Sequence, residues 1–224
     1  MWARVCNSRD MKLDHVSFAS EPDGYRATAE RISDQLGVVP YDGGVHPRFG
    51  TRNLIFPLAG GHYLEVVEAL EHPAALSTPF GQAVRTRSEL GGGWMGWCVS
   101  VDDLSEVETR LERKAVDGNR TPESGEELKW LQIGVKGLIA DPQLPFFIKW
   151  SADSSQHPSS YKTNEDVSID TLQIAGDRDR LRDWLGTDDA KPIPEIHIDW
   201  SAPHGAPGIM SVTFETEKNG LVTI

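Results

Sequence analysis

The 224-residue chain carries 34 acidic against 22 basic residues, a net charge of −12 that would repel a nucleic-acid backbone, so no nucleic-acid partner is expected. Its longest apolar runs, such as Leu131 to Ala140, are too short to cross a bilayer, and its start lacks a signal-peptide core. A soluble, acidic, cytoplasmic protein without a membrane partner is expected, long enough for one sizeable core or two small ones and needing no disulfide or metal staple.

Residues 1–11 carry no periodicity and read as an N-terminal extension. A strand is predicted from Leu13 to Phe18, then a helix opened by Ser20-Glu21-Pro22-Asp23, with Ala29, Ile32 and Leu36 on its inner stripe and Gly37 at its end. Three strands follow, Val38 to Val45, Thr51 to Leu58 and His62 to Leu70, the last two joined by a tight turn at Ala59-Gly60-Gly61. A helix is expected near Pro79 to Leu90. The phrase restarts with a strand from Trp94 to Val101 and a helix opened by Asp102-Asp103, with Leu104, Val107 and Leu111 on one face. Strands near Glu127 to Ile139 and Pro145 to Ser151 complete the second copy. Residues 152–165, rich in serine, read as a surface linker. Residues 166–224 then give a third copy: strand Val167 to Ala175, helix Asp177 to Leu185, and strands near Ile193 to Trp200, Gly208 to Thr216 and Leu221 to Ile224.

The repeat spacing suits a βαβββ module, with His15, Trp97 and Thr171 at equivalent positions. One helix cannot cover both faces of its sheet, so two modules gain by packing into a cup around a cavity, and side chains of one strand parity then face that cavity. The fold class is α+β: paired modules over residues 12–151 and a third, βαβββ-like unit over 166–224. The extra unit has sheet to cover, against its own chain or in a homodimer.

Leu13-Asp14-His15-Val16-Ser17-Phe18, the approach from Gly43 to Asn53, Tyr63-Leu64-Glu65-Val66-Val67 and Trp97-Cys98-Val99-Ser100-Val101 resemble the vicinal oxygen chelate superfamily, within it the glyoxalase-like domain group. The resemblance covers roughly Lys12 to Ser151 and implies the paired-module (glyoxalase/bleomycin-resistance/dioxygenase-like) fold. It leaves the reaction open among lyases, isomerases, dioxygenases, thiol transferases and drug-binding proteins. Metal-dependent members supply four inward ligands. Carried over, these fall on His15, Glu65, Trp97 and Ile148, of which the last two cannot bind a metal. The resemblance therefore implies a degenerate site: a weakly held divalent ion at His15 and Glu65, or a hydrogen-bonded pair in a cavity that has lost its metal.

A histidine facing a carboxylate is also the minimum kit for proton transfer, with Glu65 as base and His15 as partner. Trp97, Phe146 and Ile148 would make the lining apolar, for a small-molecule ligand. Trp130 has the parity to join it or to be an ordinary core residue. His46 and Asn53 border the mouth as substrate contacts or as turn residues. Cys98 reads as a buried free thiol and Cys6 lies far from it in sequence. Glu195, His197 and Asp199 share one side of a strand and read as its solvated face; His62, His72, His157 and His204 read as surface residues. Gly91, Gly93 and Gly96 precede a strand, not a helix, which rejects a dinucleotide site. Three functions remain: lyase or isomerase chemistry on a small, partly apolar molecule, non-catalytic sequestration of a drug or metabolite, or a scaffold whose C-terminal unit binds another protein.

Overall fold

A computed structural model describes residues 11–120, 127–151, 157–161, 164–202 and 204–224. Cys6, the predicted extension up to residue 10, and residues 152–156 and 162–163 of the predicted linker lie outside the described residues.

The first module runs β1 (Met11–Ala19), α1 (Tyr25–Leu36), β2 (Tyr41–His46), β3 (Thr51–Pro57) and β4 (Tyr63–Ala69). Helix α1 ends at Gly37, whose φ of 73° is the left-handed conformation that only glycine adopts without steric cost. Two short helices, α2 (Pro73–Ser77) and α3 (Pro79–Glu89), lead to the second module: β5 (Gly93–Val101), α4 (Ser105–Leu111), β6 (Val116–Arg120), β7 (Leu128–Ile133), α5 (Gly137–Ala140) and β8 (Phe146–Trp150). The single strand predicted from Glu127 to Ile139 is thus two elements. Gly134, at φ 104°, ends β7 and lets the chain turn into α5. Strand β6 was not expected, because Val116-Asp117-Gly118-Asn119-Arg120 lacks apolar alternation and carries a glycine.

All eight strands form one sheet in the order β2-β3-β4-β1-β5-β8-β7-β6, each module contributing four. In both modules the first strand pairs in parallel with the last, and β1 and β5 join the halves antiparallel. The edge strands β2 and β6 come together, so the sheet curls into a cup, and Arg120 Nη1 donates to the Gly43 carbonyl oxygen across the gap at 2.9 Å.

The remaining chain forms β9 (Val167–Ala175), α6 (Arg178–Leu185), β10 (His197–Ser201), β11 (Gly208–Thr216) and β12 (Gly220–Thr223). Asp177 caps α6, its carboxylate accepting from the backbone N–H groups of Asp179 and Arg180. The element order repeats the module, but the pairing does not: the sheet runs β10-β9-β11-β12, with β10 parallel to β9 and β11 antiparallel on its other side. Ile193 and Ile196, predicted as strand, precede β10 and are buried in the core. Glu195, His197 and Asp199 are exposed.

The large sheet separates two apolar clusters. Its convex face, with Val16, Leu64, Trp97 and Val99, shares one core with α1, α4 and the inner face of the small sheet, including Leu172, Val212 and Phe214. Trp94 ties the two sheets, its Nε1 donating to the Ile224 carbonyl oxygen at 2.8 Å. On the concave face, Phe80, Ala83 and Val84 of α3 and Leu138 of α5 pack against Cys98, Phe146 and Ile148. No helix among the described residues is long and apolar enough to cross a membrane.

Candidate active site

A bulge in β1 decides which side chains enter the cup. Leu13 pairs with Val99, but His15 pairs with Cys98, so Asp14 is an extra residue opposite one step of β5. Leu13, Val16 and Phe18 therefore face the convex core, while His15 borders the cavity and Ser17 reaches the cavity residue Glu65. Trp97, the partner of Val16, is wholly buried in the convex core and gives its Nε1 hydrogen to the Gln143 carbonyl oxygen. The expectation that Trp97 lines the cavity is corrected accordingly. Within the modules, His15 lies beside Tyr63 and Ser17 beside Glu65; Cys98 lies beside Phe146 and Ser100 beside Ile148. The true counterpart of His15 is Cys98, and Asp14-His15-Val16-Ser17 matches Trp97-Cys98-Val99-Ser100.

The cavity is lined by His15, His46, Asn53, Tyr63, Glu65, Arg120 and Gln132 among polar groups, and by Phe49, Phe80, Trp130, Phe146, Ile148 and Trp150 among apolar ones. It is narrow, about 40 Å³. At roughly 10–15 Å³ each, that admits a few water molecules. His46, Asn53, Trp130, Phe146 and Ile148 are thus brought together with His15 and Glu65, on strands from both modules.

Glu65 is buried and held at both oxygens: Ser17 Oγ donates to Oε1 at 2.6 Å and Asn53 Nδ2 to Oε2 at 2.7 Å. His15 Nε2 lies 3.7 Å from Glu65 Oε1, beyond direct hydrogen-bonding distance. The imidazole is fixed from behind by Asp14, whose Oδ1 is 2.6 Å from His15 Nδ1, and from the side by Tyr63, stacked at 4.5 Å. With its Nδ1 bonded to the Asp14 carboxylate, His15 turns its Nε2 toward Glu65.

Asp14 is itself a junction. Its Oδ2 accepts from Trp150 Nε1 at 2.9 Å and lies 3.2 Å from His157 Nε2. Burial alone would raise its pKa, but hydrogen bonds from His15 and then His157, with their charges, hold the carboxyl well below its usual range. His157 is not a surface residue, since it partners Asp14 from within the segment predicted as linker, where Pro158–Ser160 forms a single 3-10 turn and the Pro158 carbonyl oxygen accepts from Tyr41 Oη at 2.6 Å. His62 is likewise buried, with Nδ1 bonded to the Leu13 carbonyl oxygen at 2.7 Å, and burial lowers its pKa. His72 and His204 are exposed.

His46 hydrogen-bonds to Thr51 Oγ1 at 3.0 Å, and burial pushes its pKa down to about 4 against the opposing pull of Glu65. It is neutral at pH 7. Sequence reasoning missed Asp14, Ser17, Tyr63 and Gln132, and above all Arg120, the last because β6 was not recognised. The available signal was the module itself, which requires a strand between α4 and β7.

The donors fit a tightly held metal poorly. Ile148 occupies the position equivalent to Glu65 and offers nothing, and Cys98 is a thiol whose pKa burial raises well above normal. Both Glu65 oxygens already accept hydrogen bonds. Among the described residues, the group with metal-ligating potential is Asp14, His15 and Cys98, but Asp14 and the Nδ1 of His15 are committed to each other.

Among curated proteins none matches the chain. A solved structure of a hypothetical protein from Staphylococcus aureus is similar over 93% of this chain and 92% of that one, at 16% identity and a TM-score of 0.65, which shows a shared fold. Methylmalonyl-CoA epimerase from Mycobacterium tuberculosis matches 62% of this chain and 86% of that one at 14% identity and a TM-score of 0.41. A variant of Streptomyces coelicolor methylmalonyl-CoA epimerase in complex with 2-nitronate-propionyl-CoA matches 63% of this chain and 98% of that one, at 15% identity and a TM-score of 0.43. The family model described as "Glyoxalase-like domain" matches residues 13–189, which extends through helix α6. The chain therefore belongs to the glyoxalase-like domain family of the vicinal oxygen chelate superfamily.

Proposed function

We propose that the cup binds a small, partly apolar molecule and that Glu65 removes a proton from it, in lyase or isomerase chemistry. The observation that carries this reading is the facing pair of Glu65 Oε1 and His15 Nε2, 3.7 Å apart and each held by its own partners. A base fixed before the substrate arrives loses no orientation entropy in the reaction. Glu65 takes the proton from carbon, His15 Nε2 exchanges protons with the Glu65 acid so formed, and return of a proton to the electron pair left on the substrate completes an isomerisation. The narrow, partly aromatic cavity leaves room for only a few waters beside both. The test is exchange of substrate C–H for deuterium in D2O, followed by proton NMR over a panel of 2-oxo and 2-hydroxy acids. Wild type is expected to exchange one compound, and Glu65→Gln to slow that exchange by about a hundredfold or more. Undiminished exchange in Glu65→Gln removes Glu65 as the base.

The missing donors at Cys98 and Ile148 favour a second reading, a non-catalytic protein that sequesters a metabolite or drug. It predicts a ligand that raises the melting temperature by mass action without any exchange or conversion.

A further inference from the structure

Two buried polar atoms around this cavity have no hydrogen-bond partner among the described residues: Arg120 Nε and Asn53 Oδ1. One is a charged donor and the other an acceptor. Arg120 is 3% exposed and forms no ion pair among the described residues, with Nη1 given to the Gly43 carbonyl oxygen. Glu65, the carboxylate of the same cavity, is occupied by Ser17 and Asn53. A guanidinium taken out of water without a counter-ion is costly, and the cost falls when an anion enters. The two orphaned groups are neighbours. A Cβ on Gly43 would lie 2.1 Å from Asn53 Oδ1 and 2.7 Å from Arg120 Nη1, so both flank the same glycine.

We infer that the ligand of this cavity is a small 2-hydroxycarboxylate, its carboxylate accepting from Arg120 Nε and its hydroxyl donating to Asn53 Oδ1. This rests on the reading of the cup as a ligand site and names its substrate class. The hydroxyl matters, because a bare carboxylate would set a second acceptor against the Asn53 oxygen. Phe49, Phe80 and Phe146 of the same lining would meet an apolar substituent beyond the polar head, and the narrow cavity keeps that substituent small. Asn53 also holds Glu65, so the carbon between carboxylate and hydroxyl would lie on the side of the base, and the hydrogen it bears is the one Glu65 would remove.

Calorimetric titration of the wild-type chain with lactate, lactamide and propionate tests this. The acid is expected to bind about tenfold or more tightly than its amide, and more tightly than the acid lacking the hydroxyl, as a charge-assisted bond and a satisfied acceptor each require. Arg120→Gln is expected to bring acid and amide within about twofold. Equal binding of acid and amide by wild type overturns the inference while leaving the cup as a ligand site; binding of none overturns the inference too, while the exchange panel decides the reading of the cup. Equal binding of lactate and propionate overturns the assignment of the hydroxyl. Should Arg120→Gln not fold, the wild-type series and Arg120→Lys, which keeps the charge and should keep the preference for acid over amide, carry the test.

Discussion

Arg120 and Gly43 join the two ends of an eight-stranded sheet: the guanidinium of the last strand in the sheet order donates to the carbonyl oxygen of the first at 2.9 Å. The contact closes the cup and brings the second module's cation to the first module's carboxylate strand. It also explains a glycine in the middle of β2, since a side chain there would collide with Asn53, Arg120 and Ile55.

Gly43→Ala should therefore destabilise the fold by about 1–3 kcal/mol, the usual cost of overpacking. The urea unfolding midpoint measures it. A midpoint equal to wild type would mean that the strand edges part without cost.

The pH dependence of stability should carry the mark of His46. Its folded pKa, about 4, lies below the unfolded value of about 6.5, so as pH falls the unfolded chain takes up the proton first. The stabilisation is present above about pH 6.5 and drains away toward pH 4. Between pH 7 and pH 5 this amounts to about 2 kcal/mol, a loss that His46→Gln should lack. Unfolding curves of both proteins at the two pH values decide it.

Asp14→Asn should cost on the order of 3 kcal/mol, because one amide cannot accept from His15, Trp150 and His157 together and leaves a buried donor facing another. The wild-type carboxyl is held below its usual range. Its contribution is present above the unfolded value of about 3.9 and lost as pH falls below it toward the native value. The variant should show a shallower acid limb in its stability profile.

Cys98 should resist alkylation. Its thiol is buried and its pKa raised by that burial, so little of the reactive thiolate is reached by reagent in the folded chain. Peptide mass mapping after iodoacetamide treatment should find Cys98 unmodified in native protein and modified in concentrated urea.

The sequence made the two modules legible because each strand-helix-strand phrase carries its own periodicity and punctuation: Gly37 ends α1, Asp177 begins α6, and glycines turn β3 into β4. His15 and Glu65 were legible as inward residues of the first and last strands of one module. The third unit's elements were legible too, though not that β11 would pair with β9.

The sequence by itself determined the periods, the breaks and the chemical inventory, since these rest on contacts between near neighbours in the chain. Tertiary structure alone decided the bulge at Asp14, which moved the inward position on β5 from Trp97 to Cys98; the burial of His62 and the part-burial of His157 against Asp14; and the arrival of Arg120 beside Gly43 from 77 residues away. Strand parity inverts with a single extra residue, and nothing local records one. The edges of a sheet meet only when its accumulated twist and curl bring them together, so the composition of the cavity is a property of the closed sheet, not of any segment in it.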